Sequence, residues 1–134
     1  SHGADDQLIP AAGTIDYHRR VMEASGSEEA ARAFVRLFIS EGDGHALFTA
    51  TGPGLLIEQG VVALMKWVEE GEAPEEIVAH RMDFATGAVL ASRPVYAYPY
   101  VPEYKGEGDP DRADSFRPVP LSERLARSAS RSQQ

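Results

Sequence analysis

Apolar positions along the chain fall into blocks whose spacing alternates between helical and extended. From Thr14, the residues Ile15, His18, Val21 and Met22 recur at helical intervals, and Gly26 ends the run as a C-terminal glycine does. Ser27 followed by Glu28 and Glu29 predicts a second, short helix, because a serine cap satisfies free backbone N–H groups and early acidic residues complement the helix dipole. Residues 34–39, Phe-Val-Arg-Leu-Phe-Ile, read as a buried strand. A loop with Gly42, Gly44, Gly52, Pro53 and Gly54 follows, then a helix that carries Leu56, Val61, Leu64, Met65 and Val68 on roughly one face and stops at Gly71. The stretches 75–82 and 87–95 predict two short strands. From Tyr96 prolines and glycines dominate, which predicts an ordered but irregular segment lying over the body; the polar, arginine-rich residues 122–134 are expected to fray. The first ten residues, small and polar with two adjacent aspartates, read as a loop that follows a strand. There is no internal repeat.

Composition narrows the class. Over 134 residues, 43% are hydrophobic and 25% charged, as in a chain that folds around a core. Thirteen basic against twenty-one acidic residues, a formal net charge of −8, argue against general attraction to nucleic acid or anionic membranes. No apolar run approaches the ~20 residues needed to span a bilayer. Without cysteine, disulfides, thiolate metal sites and cysteine nucleophiles are excluded, and compartment stays open. The N-terminus lacks an initiator Met and a charged-then-apolar leader, so it is silent about any upstream signal peptide.

The strand, loop and helix order gives one histidine a chemical setting. In an open α/β sheet, chemistry gathers at the carboxyl ends of the strands. His45 lies six residues after Ile39, and Asp6 follows the earlier strand. A carboxylate at one strand end can fix the tautomer of a histidine at its neighbour's and stabilise the imidazolium. Spacing alone is thin support, since a single histidine in a glycine loop is more often structural.

The runs "HGADDQLIP…TIDYHRRV", "FVRLFISEGDGH", "VVALMKWVEEGEAP" and "SRPVYAYPYVPEYKGEGDPDRADSFRPV" resemble, in order and over about residues 2–119, the C-terminal part of the tannase and feruloyl esterase family of α/β-hydrolases. The most specific stretch is "YKGEGDPDRADSF". The resemblance implies an α/β fold class, namely a C-terminal fragment of an α/β-hydrolase fold with its last strands and helices plus an irregular C-terminal segment. Residues 1–95 would belong to the catalytic domain, 96–121 would pack on it, and 122–134 would form a flexible tail. It implies a carboxylic ester hydrolase acting on phenolic-acid esters of feruloyl or galloyl type through a Ser-Asp-His triad. The family's acid, in His-Gly-x-x-Asp, falls on Asp6, and its catalytic histidine, in Gly-x-Gly-His, falls on His45. The pair should then lie about 3 Å apart. No Gly-x-Ser-x-Gly occurs, so the nucleophile is missing, as is the lid domain that in familiar members often holds a structural calcium. No cofactor is expected for these residues themselves, and the expected partners are a phenolic ester and the remainder of the same catalytic domain. Three cysteine positions of familiar members are occupied by Ala46, Tyr96 and Pro118. The resemblance points to a secreted or periplasmic setting. A non-catalytic module descended from a hydrolase, and a half-enzyme completed by a partner chain, are the competing readings.

Other residues have plainer expectations. Asp5 becomes the acid under a one-residue shift, although the motif count favours Asp6. His2, His18 and His80 match no compact metal motif and read as solvated or helix-face residues. Asp43 reads as a cap of the glycine turn. Trp67 reads as a packing residue, and Tyr96, Tyr98, Tyr100 and Tyr104 read as anchors of the irregular segment rather than a platform for a phenolic ligand.

Overall fold

A computed structural model describes residues 1–45, 53–83 and 85–131. Strand β1 (His2–Gly3) lies parallel to β2 (Ile39–Ser40), with His2 opposite Ile39 and Gly3 opposite Ser40. Parallel neighbours need a crossover, and helices α1 (Ala11–Ala24) and α2 (Glu28–Arg32) supply it. Helix α1 starts at Ala11, earlier than Thr14, because Ala11–Gly13 carry no apolar signal that periodicity could detect. Ser27 caps α2 as its sequence predicts, its hydroxyl oxygen accepting the Ala30 N–H at 3.0 Å.

Only the end of the expected 34–39 strand is extended. The N–H groups of Phe34 and Val35 return to the Ala31 carbonyl as the last turn of α2 unwinds, and Phe34 is exposed. Its partner, β1, is two residues long, so the parallel ladder has nothing more to pair with. Leu37 and Phe38 are nonetheless buried, and Phe38 bridges to Ala97.

Helix α3 (Ile57–Glu70) ends at Gly71, whose φ of +75° is the left-handed conformation that suits glycine. Gln59 joins it to the next strand by donating to the Val78 carbonyl at 2.6 Å. Strands β3 (Glu76–Met82) and β4 (Val89–Tyr96) pair antiparallel, and their inward residues Ile77, Ala79 and Val95 form one core with Phe38, Leu55 and Ala97. Much of α3 is left uncovered: Ile57, Val61, Val62, Leu64, Met65 and Val68 are exposed, Val68 to 77%. Trp67 is half-buried and carries the Arg36 guanidinium over its ring at 5.1 Å, while Arg36 also pairs with Glu75 at 2.8 Å.

The segment after Tyr96 is more regular than its composition suggests. Strands β5 (Tyr100–Tyr104) and β6 (Phe116–Pro120) form an antiparallel pair beside β4, tied to it by Ser92 N–H to the Asp111 carbonyl at 2.8 Å and by Ala113 N–H to the Ser92 hydroxyl at 2.9 Å. The polar tail, expected to fray, continues as helix α4 (Leu121–Arg131). Ion pairs hold it: Arg124 to Glu41, and Arg127 to Glu103 and Glu123.

Two local contacts give a direct stability test. Ser27→Ala removes the α2 cap and Gly71→Ala forces a β-carbon into a left-handed turn, so each should lower the unfolding free energy by about 1 kcal/mol. Urea denaturation reads both, and unchanged midpoints would contradict these capping roles.

Candidate active site

The chain leaves β1 and β2 at the same end of the parallel pair, so the two following loops run side by side. Ala4 N–H donates to the Ser40 carbonyl at 2.8 Å and Asp5 N–H to the Asp43 carbonyl at 3.0 Å. The loops approach closely because residue 3 is glycine: a β-carbon there would lie 2.3 Å from the Asp43 carbonyl oxygen and 2.5 Å from that of Gly44. The Asp43 carbonyl cannot retreat without losing the Asp5 N–H that it accepts.

At the tip of these loops Asp6 Oδ2 lies 3.0 Å from His45 Nδ1. The Asp6 side chain is 6% exposed, that of His45 49%. The other carboxylate oxygen, Oδ1, accepts the N–H groups of Leu8 and Ile9, each at 2.9 Å. The Ile9 N–H holds the Asp6 carboxyl below its ordinary range, burial opposes it, and His45 and the Leu8 N–H add to the lowering, so Asp6 is a carboxylate at neutral pH. With Nδ1 turned to that carboxylate, Nε2 is the nitrogen left to exchange a proton. Asp5 is exposed and does not take this place; its backbone N–H is spent on Asp43.

His2 has a larger part than a solvated histidine. Its Nε2 lies 2.8 Å from the Ile9 carbonyl oxygen, so that nitrogen carries a proton and donates; Nδ1 meets the Thr14 hydroxyl at 2.9 Å. The same Nε2 is 3.7 Å from Asp6 Oδ2. His2 thus closes the 6–9 turn and fastens it to α1. The signal was its first place in the same His-Gly-x-x-Asp segment, where only the last residue was given a role.

Asp43 also departs from expectation. Read from the sequence as a cap of the glycine turn, it is completely buried, and Oδ2 accepts the N–H of Leu55, twelve residues on, at 3.0 Å. Burial pushes its carboxyl above the ordinary range, the Asp5 charge adds to this, and the Ser40 hydroxyl and Leu55 N–H oppose it.

The remaining candidates are engaged elsewhere. His18 is buried and meets Tyr98 edge-on at 5.9 Å, and burial lowers its pKa. His80 Nδ1 accepts from Gln59 Nε2 at 2.8 Å. Among the described residues no three His, Asp or Glu side chains gather as a metal site. Tyr104 packs against Phe116 at 5.7 Å and donates to the Gly108 carbonyl, as expected of an anchor of its segment. Tyr96 pairs with Glu76 and Pro118 with Pro102 across their ladders; Ala46 and Gly52 lie outside the described residues.

Adjacent loops from one edge of a parallel strand pair, one ending in a carboxylate and the other in the histidine it contacts, define an α/β-hydrolase-like arrangement. The chain belongs to the tannase and feruloyl esterase family, whose profile, "Tannase and feruloyl esterase", matches residues 1–119. It is 36% identical over 115 residues to a probable feruloyl esterase of Arthroderma benhamiae, covering 86% of this chain and 21% of that protein. It is 34% identical over 116 residues to a mono(2-hydroxyethyl) terephthalate hydrolase of Piscinibacter sakaiensis, covering 86% of this chain and 18% of that one. Among solved structures, an esterase from Aspergillus oryzae superposes with a TM-score of 0.73 at 27% identity, over 88% of this chain and 26% of its own. The chain therefore spans about a fifth of the length of these curated relatives.

Gly3→Ala should cost about 1–3 kcal/mol as an overpacking change, and should move the 43–45 turn away from Asp6; a Gly3→Ala protein with wild-type stability would contradict the close approach. Asp43 gives a pH test. Because its folded-state pKa is raised, its neutral form favours the fold: the contribution is complete below the ordinary carboxylate value of about 4 and is lost as pH rises through the folded value. Asp43→Asn keeps an acceptor for Leu55 without the charge. Urea unfolding from pH 3 to 8, each end taken as roughly outside the titration, should show wild type losing ground to Asp43→Asn as pH rises; a pH-independent difference would contradict it.

Proposed function

We propose that this chain is the acid- and histidine-bearing portion of a serine-type carboxylic ester hydrolase that acts on phenolic-acid esters of feruloyl or galloyl type. The observation that carries the reading is the 3.0 Å contact between Asp6 Oδ2 and His45 Nδ1, at the strand ends where the family motifs fall. His45 Nε2 takes the proton from a serine hydroxyl as the serine oxygen attacks the ester carbonyl. It then returns that proton to the leaving alcohol, and water repeats the sequence to release the acid. Asp6 holds the ring and balances the imidazolium charge. The serine comes from outside these residues, since no nucleophile-elbow pentapeptide occurs in the sequence. The names of the relatives, a feruloyl esterase and a terephthalate monoester hydrolase, support an aromatic acyl group as the common substrate feature.

The partner in this reading is the remainder of the same catalytic domain. The uncovered apolar face of α3 supports it, because a row of exposed Val, Leu, Ile and Met of this extent is covered in a stable protein.

In the full-length protein, His45→Ala should lower kcat by roughly a thousandfold or more with KM nearly unchanged, because the base acts mainly in the transition state. Asp6→Asn should be severe and Asp5→Asn mild. The 134-residue chain alone should hydrolyse neither methyl ferulate nor methyl gallate above background. Turnover by the isolated chain would overturn the assignment of the serine to residues outside it, and a full-length enzyme indifferent to His45→Ala would overturn the role of the histidine.

A further inference from the structure

We propose that Asp43 is the positioning residue for His45, with its carboxylate fastening the two ends of the chain stretch that carries the histidine. This rests on the Asp6–His45 dyad proposed above. Asp43 precedes His45 by two residues and Leu55 follows it by ten, and the Asp43 Oδ2 to Leu55 N–H bond of 3.0 Å joins these two flanks of the histidine. The main chain of the same residue reaches the other loop, its carbonyl oxygen accepting the Asp5 N–H at 3.0 Å one residue before the acid. One residue therefore ties three places together: the acid loop through its carbonyl, the start of α3 through its carboxylate, and the end of β2 through the chain.

Its burial gives the link its meaning. An exposed aspartate in a glycine turn exchanges bonds with water, whereas Asp43 is 0% exposed and its Leu55 bond is buried. Water cannot substitute there, so deleting the carboxylate leaves the Leu55 N–H without its partner and frees the near end of the His45 stretch. The half-exposed imidazole depends on that anchor, because its own contact, with Asp6, fixes one nitrogen but not the path of the backbone behind it. A displacement of about 1 Å at a reacting group is enough to cost roughly a hundredfold in rate. The requirement is an acceptor at the position of Oδ2 rather than a negative charge, so asparagine should satisfy it and alanine should not.

The test uses the full-length protein with methyl ferulate, comparing Asp43→Ala, Asp43→Asn and His45→Ala, with folding followed by thermal melting. Asp43→Ala should lose kcat by roughly a hundredfold while KM changes less than about twofold, and Asp43→Asn should recover kcat to within about fivefold of wild type. A folded Asp43→Ala enzyme with wild-type kcat, or an Asp43→Asn enzyme as impaired as Asp43→Ala, overturns the inference while His45→Ala remains inactive and the dyad stands. If His45→Ala retains turnover, the dyad fails and this inference fails with it. Should Asp43→Ala not fold, hydrogen exchange of the unmodified protein decides: the Leu55 amide should be protected like the amides of β3, and exchange at the rate of an open turn overturns the assignment.

Discussion

The α-carbon of Gly3 lies so near the turn after β2 that a β-carbon would meet the carbonyl oxygen of Asp43 at 2.3 Å. That close approach is the constraint on which the site depends. It lets the loops after β1 and β2 share backbone hydrogen bonds from Ala4 to Ser40 and from Asp5 to Asp43, and these bonds bring Asp6 and His45 to 3.0 Å. A side chain at position 3 would wedge the loops apart at their root, and a small angle there becomes a large displacement at the tip. The carboxylate itself is held from behind by the Leu8 and Ile9 N–H groups, and that turn is closed by His2. The dyad is thus the outer end of a stack of main-chain contacts.

Beyond this stack, ion pairs tie together segments that are distant along the chain. Glu75 receives Arg32 at 2.5 Å and Arg36 at 2.8 Å, joining the end of α2 to the approach to β3, while Arg124 of α4 reaches Glu41 in the loop that leads to His45. Such partly exposed pairs contribute modestly one by one and weaken with salt. The apolar cluster around Phe38, Leu55 and Ile77 is small, and the hydrophobic residues of α3 mostly face away from it. An amphipathic helix with an uncovered stripe is built to lie against something.

Periodicity made α1, α3 and the β3–β4 pair legible in the sequence, and cap chemistry marked Ser27 and Gly71. It failed where neighbours in space override local pattern. Residues 34–39 look like a strand, but the end of α2 uses the first N–H groups and β1 offers only two residues to pair with. The β5–β6 pair was hidden by its prolines. Pro102 faces Pro118 and Pro120 faces Tyr100, all at one parity of the antiparallel ladder, where opposed residues need not exchange N–H bonds. Helix α4 was hidden because its ion-pair partners Glu41 and Glu103 are distant in sequence. At the candidate site, the contact between Asp6 and His45 was legible from family motifs and strand-end position together. The burial of Asp43 and the bonds of His2 were not, since both follow from which backbones come into contact.

In the proposed dyad, Asp6 holds His45 by its Nδ1 nitrogen and leaves Nε2 for proton exchange. Long-range proton–nitrogen correlation spectra of the neutral His45 ring test this directly, because the two nitrogens differ strongly in shift according to which carries the proton. The expected form is the Nδ1–H tautomer, which Asp6→Asn should convert toward the solution mixture. A neutral His45 found mainly as the Nε2–H tautomer, or one whose tautomer ignores Asp6→Asn, would contradict it.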